Sequence, residues 1–198
     1  MDSLAVLVAA CPRAYVDGIW QRHVATRHAA QALDGRHGTG RWSTKSGFRV
    51  LYLGRPTNSV IIEAYRHLVD PIEDARMLAQ LEPRTLVTCT VEYTDLLDLR
   101  ESASRMQLDL PFGVLHSATS DSAAYARCQA VAQVAHQIGL SGIIAPAATG
   151  MGDTLAVFTD LPDFQRPTRS APDTAWDQLP TDPRHAPPRH LRAVDSDR

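Results

Sequence analysis

Residues 40–64 read GRWSTKSGFRVLYLGRPTNSVIIEA, and this stretch holds a strand, a tight turn and the start of a helix. Phe48-Arg49-Val50-Leu51-Tyr52-Leu53 is a run of aromatic and branched residues that predicts a strand, ended by Gly54-Arg55-Pro56. Thr57, Asn58 or Ser59 then caps a helix reaching about Val69, where Asp70-Pro71 stops it. On the strand, Tyr52 points opposite to Leu51 and Leu53. On the helix, Glu63 follows Ile61-Ile62 and precedes Ala64, an apolar setting poorly suited to a glutamate without a function. A strand–turn–helix unit is able to bring Tyr52 and Glu63 toward one cleft.

Outward from this unit the pattern stays mixed. Arg84 to Tyr93 is rich in β-branched residues and predicts a longer strand. Between Asp121 and Ile138, Ala124, Cys128, Val131, Ala135 and Ile138 recur at helical spacing, and Gly139 ends the run. Two short strands follow, Gly142 to Ala145 and Thr154 to Phe158. Strands and helices interleave without regular βαβ repetition, which predicts an α+β domain with small mixed sheets packed against helices. The apolar opening run from Leu4 to Cys11 has no positive charge before it and is short for a secretory leader, so it reads as a buried strand or helix. Seven of the thirteen prolines lie from Pro162 onward, in a segment poor in apolar residues. The expected division is therefore one folded domain over residues 1–160 and an extended or mobile C-terminal tail over 161–198.

Composition narrows the class. A chain of 198 residues with 44% hydrophobic and 21% charged content is that of one globular domain. Net charge of −2 gives no general pull toward nucleic acid or anionic membrane, and no run approaches a membrane span. Cys11, Cys89 and Cys128 are odd in number and widely spaced, which argues against a disulfide framework and a structural zinc site and fits a cytoplasmic location. The histidines form no spaced ligand pair, and no metal is expected.

Arg41, Tyr52 and Glu63 stand eleven residues apart in turn. With Trp20-Gln21-Arg22-His23, Cys128-Gln129-Ala130-Val131 and Gly142-Ile143-Ile144-Ala145-Pro146, this order and spacing resembles the RES-domain family of bacterial toxins over residues 20 to 158. The resemblance implies a fold related to the ADP-ribosyltransferase toxins and an enzyme that destroys NAD as its substrate, without a cofactor. Nicotinamide is released, and ADP-ribose passes to water or phosphate. It also implies an Xre-like helix-turn-helix antitoxin as partner, and leaves room for a homodimer within the toxin–antitoxin complex.

The residues suit that chemistry. Breaking the nicotinamide–ribose bond passes through an oxocarbenium-like ribose, which a carboxylate on the ribose hydroxyls stabilises; Glu63 is the candidate. A diphosphate is held well by the planar fork of arginine, which suits Arg41 and Arg22. Tyr52 is placed to stack on nicotinamide while its hydroxyl holds a polar group, and His23 to donate to the adenosine ribose or the phosphates. Gln129 reads as a structural residue at the back of the cleft, and Trp42 as packing. Each has an ordinary alternative: Tyr52 in half-buried packing, Glu63 on a polar helix side, Arg41 in a salt bridge.

Two departures from the family stand out. Its members carry a serine just after the proline of the late strand, or three residues before the helix glutamine. Here those positions are Pro146-Ala147-Ala148 and Ala126, and Ala132 replaces a common glycine. Ser141 and Thr149 are near enough in sequence to substitute. These changes keep two further readings open: transfer of ADP-ribose to a macromolecule, and a catalytically weak member that mainly binds an antitoxin.

Overall fold

The computed structural model describes residues 3–72 and 80–185. Its strands are β1 (Arg13–Ala25), β2 (Val50–Arg55), β3 (Arg84–Asp98), β4 (Gly142–Pro146), β5 (Asp153–Phe158), β6 (Thr168–Arg169) and β7 (Thr174–Trp176). Its α-helices are α1 (Ser3–Ala10), α2 (Thr57–Leu68), α3 (Ser102–Gln107), α4 (Phe112–Leu115) and α5 (Ser122–Gln137). The α+β class expected from the interleaved pattern is what forms. In place of small separate sheets there is one seven-stranded sheet in the order β1-β2-β5-β4-β3-β6, with β7 on β3.

The sheet closes on itself. β1 and β3 pair antiparallel over nearly their whole length, from Arg13 opposite Leu97 to Ala25 opposite Arg84. β1 also meets β2 where Gln21 lies opposite Gly54, so the pairings run in a ring from β1 through β2, β5, β4 and β3. Among the described strand pairs only β3 and β4 are parallel. A parallel neighbour needs a long crossover, and α3, α4 and α5 supply it.

Alternation along the strands divides the core. Leu51, Leu53, Leu155 and Val157 face the inside of the ring with Trp20, Val87 and Val91. Val50, Tyr52, Ala156 and Phe158 face the other way, against Cys128, Val131 and Ala135 of α5. This side-to-side change every residue is the ordinary consequence of the strand pleat, and it puts Tyr52 on the helix side of β2.

The helix boundaries show which polar residues do what. Asp121 caps α5, its carboxylate accepting from the Ala124 amide at 3.0 Å, and Gly139 ends the helix with φ +82°. At α2 the expected cap by Thr57, Asn58 or Ser59 is not made. Pro56 takes the cap position, Thr57 Oγ1 donates to Gln21 Oε1 at 2.7 Å, and Ser59 Oγ bonds Thr149 Oγ1 at 2.8 Å. Tertiary partners outcompeted the local ones. The opening run forms α1, with only Val8 buried among its residues. Beyond Thr159 the chain runs extended, adds β6 and β7 to β3, and buries Trp176 with Val60, Ile61, Ala64 and Leu86. Arg184 then reaches Asp70 just after α2 at 2.7 and 2.9 Å. The family of short contacts thus ties the tail to α2 through residue 185.

Candidate functional site

The loop before β2 is clamped from two sides. Tyr52 Oη accepts from the Trp42 amide at 2.9 Å and bonds Ser43 Oγ at 3.0 Å. From α5, Gln129 Nε2 donates to the carbonyls of Gly40 at 2.9 Å and Ser43 at 3.0 Å. The approach is close enough to exclude any side chain at position 40, since a Cβ there would lie 2.4 Å from Tyr52 Oη. Burial pushes the Tyr52 phenol well above its ordinary value, against the opposing effect of the Ser43 and Trp42 hydrogen bonds. Its hydroxyl is therefore neutral and spent on the loop, and the expectation that it holds a ligand group gives way to a ring that lines the cleft. Gln129 braces the loop instead of lining the cavity.

Arg41 leaves this loop almost fully buried, at 9% exposure. Nη1 donates to the Val114 carbonyl at 2.7 Å and Ser117 Oγ at 3.0 Å, and Nη2 to the Ser117 carbonyl at 3.0 Å. The guanidinium also sits 4.5 Å above the Tyr125 ring. Three of its five N–H groups are thus used by the protein. Trp42 is buried in the core, as its packing role requires.

Glu63 projects from α2 with two partners one turn on. His67 Nε2 donates to Oε1 at 2.7 Å, and Arg66 Nε lies 4.0 Å from Oε2. Burial alone would raise this carboxyl; the His67 hydrogen bond and the charges of His67 and Arg66 outweigh it and hold the group below its ordinary value. Arg66 in turn donates to the carbonyls of Ser117 at 3.0 Å and Ala148. Sequence reasoning passed over Arg66 and His67, although their i+3 and i+4 spacing from Glu63 was a readable signal.

On β1, Arg22 donates to the Ala32 carbonyl at 3.0 Å. Burial, with Arg36 nearby, lowers its guanidinium to about 10. Next to it, His23 Nδ1 lies 3.3 and 3.2 Å from Nε and Nη2 of Arg84, a residue that no sequence signal had marked. Burial and the Arg84 charge bring the imidazole down to about 3.

All five of Arg22, His23, Arg41, Tyr52 and Glu63 line one cavity of about 390 Å³, joined there by Arg66, His67 and Arg84. Its described walls hold four arginines and one carboxylate, Glu63, in a chain whose net charge is −2. Thr149 and Ser59, bonded to each other, also face the cavity. Ser141 sits at the other end of β4, roughly 17 Å from Pro146 at the usual rise of a strand. Of the two proposed stand-ins for the family serine, only Thr149 reaches the cleft.

The family model described as RES domain matches residues 18–180. A chain in the crystal structure of the M. tuberculosis MbcT-MbcA toxin-antitoxin complex superimposes with a TM-score of 0.71 at 20% identity, covering 88% of this chain and 92% of that one. No curated protein matches the chain.

Proposed function

The chain belongs to the RES-domain family, and on that premise we propose that it is the toxin of a toxin–antitoxin pair, an enzyme that cuts the nicotinamide–ribose bond of NAD. The observation that carries this reading is a single ionised carboxylate set among four arginines in one cavity. An anionic dinucleotide is drawn to such a cleft, and Glu63 is the one acid in its described walls that answers to a cationic sugar.

The chemistry fits the protonation states. NAD carries a positive charge on its nicotinamide ring, so when the C–N bond breaks the electron pair goes to the ring nitrogen and nicotinamide leaves neutral. No proton need be delivered to it. What the step needs is an anion beside the developing oxocarbenium, and Glu63 is held ionised by His67 and Arg66. Arg22 and Arg66 are disposed for the diphosphate, with Arg41 shaping the cleft wall through its carbonyl contacts. The Tyr52 ring offers a flat face to nicotinamide. Ser59 and Thr149, bonded to each other, supply hydroxyls to the cleft wall. Water or phosphate then takes the ribose carbon. The antitoxin is a helix-turn-helix protein that covers the cleft. The solved toxin–antitoxin complex of similar fold supports an antitoxin as partner.

Purified protein incubated with labelled NAD, with and without phosphate, tests the reading. Nicotinamide release with ADP-ribose or its phosphorylated form as coproduct is the expected result. Label on protein or nucleic acid points to a transferase instead. Silence from folded, partner-free protein excludes the enzyme and leaves the antitoxin-binding role.

A further inference from the structure

Arg84 and His23 are cleft residues whose contact fixes a protonation state. Their strands run antiparallel, with His23 opposite Leu86 and Ala25 opposite Arg84, so the Arg84 side chain reaches back across the diagonal. It brings two nitrogens to one atom: Nε at 3.3 Å and Nη2 at 3.2 Å from His23 Nδ1. A guanidinium has donors and no acceptor. Nδ1 must therefore present its lone pair, and the one ring proton of a neutral imidazole is left on Nε2. On the other side lies the indole of Trp176, nearly parallel to the imidazole at 18° with centroids 6.2 Å apart. Trp176 is itself fixed, since it lies opposite Arg84 in the sheet and packs on Val60, Ile61 and Ala64 of α2.

We propose that Arg84 is a positioning residue which, with Trp176 of β7, locks His23 as a neutral imidazole whose Nε2–H donates into the cleft to a hydroxyl or phosphate oxygen of the bound nucleotide. His23 is then a fixed donor, and neither a cation nor a proton shuttle. The residues facing the ring agree. Burial comes first, then Arg84 of β3, His67 of α2 and Arg22 of β1, all opposing a proton on it, while Glu63 of α2 alone favours one. The C-terminal segment thereby takes part in the site through Trp176.

The proposal rests on the NAD-cleaving reading only where activity is the readout, so its first test avoids activity. In 15N NMR of the full chain, His23 is expected to show a bare Nδ1 and a protonated Nε2, unchanged from pH 8 to pH 5. An Nδ1–H tautomer, or protonation within that window, overturns the proposal. In Arg84→Met the ring is expected to titrate in the window or to mix tautomers; a folded variant with an unaltered His23 signal also overturns it. In the nicotinamide assay, Arg84→Met should lose about tenfold in kcat/KM, the size of one hydrogen bond, and gain, within the same pH window in which Glu63 stays ionised, an acidic limb that the parent lacks. His23→Gln keeps an oxygen for Arg84 and an N–H for the cleft, so it should retain most of the rate that His23→Ala loses. Equal losses in these two contradict the donor role, and they decide the matter even if Arg84→Met does not fold. The predicted tautomer without any NAD cleavage supports the positioning role and overturns the functional reading instead.

Discussion

At the scale of single residues, the cleft keeps its charges by pairing them and its neutral groups by burial. Glu63 is the first case and His23 the second. In the unfolded chain His23 titrates near 6.5, whereas in the folded chain it takes no proton until about pH 3. Between those values the unfolded state binds more protons, so the unfolding free energy falls as pH drops from about 6.5 toward 3, by at most ~1.4 kcal/mol per pH unit from this residue. Glu63 has a lowered carboxyl, so its contribution is present above the ordinary glutamate range and is lost on acidification below it. Both effects weaken the fold at acid pH. Urea unfolding at pH 7 and pH 5 should therefore show a loss of stability that is smaller in His23→Gln, because Glu63 is still ionised at both. An identical loss in parent and variant would mean that His23 is not held neutral.

At the scale of elements, the decisive assembly is the loop of residues 40–43 held between β2 and α5. Gln129 alone makes two of its hydrogen bonds. Gln129→Ala should cost about 1–3 kcal/mol of stability by stranding those carbonyls, and should raise KM more than it lowers kcat, since the loop sets Arg41 and Trp42 and touches no reacting atom. Denaturant melts and steady-state kinetics check both; a kcat effect with unchanged KM would place Gln129 in the chemistry instead. The spacing of Arg41, Tyr52 and Glu63 was legible because one strand, one turn and one helix carry it. β1 was harder to read. Its inward positions Ala14, Val16, Trp20 and Val24 alternate, but Gly18 and Arg22 interrupt them. Arg84 was not legible at all, because its role depends on a cross-strand diagonal between residues 61 positions apart. The spent hydroxyl of Tyr52 was hidden for the same reason, since a loop ten residues upstream claims it.

At the scale of the whole molecule, a ring of strands presents one end as a cationic cleft, and the C-terminal segment fastens α2 beside it. That segment looked unable to bury much; its hold rests on Trp176, at 6% exposure, and on Arg184 between Asp70 and Asp182. Composition averages over such a segment and misses one well-placed indole. Trp176→Ala should cost about 3–5 kcal/mol in unfolding free energy. A change below about 1 kcal/mol would show that the tail lies loosely on the sheet. The account as a whole depends on Glu63 stabilising a cationic ribose. The most direct measurement is the rate of nicotinamide release from NAD by Glu63→Gln beside the parent, at matched thermal stability. A fall on the order of a hundredfold or more is predicted, since the substitution removes the charge and little volume. A parent rate that survives in the variant would contradict the claim.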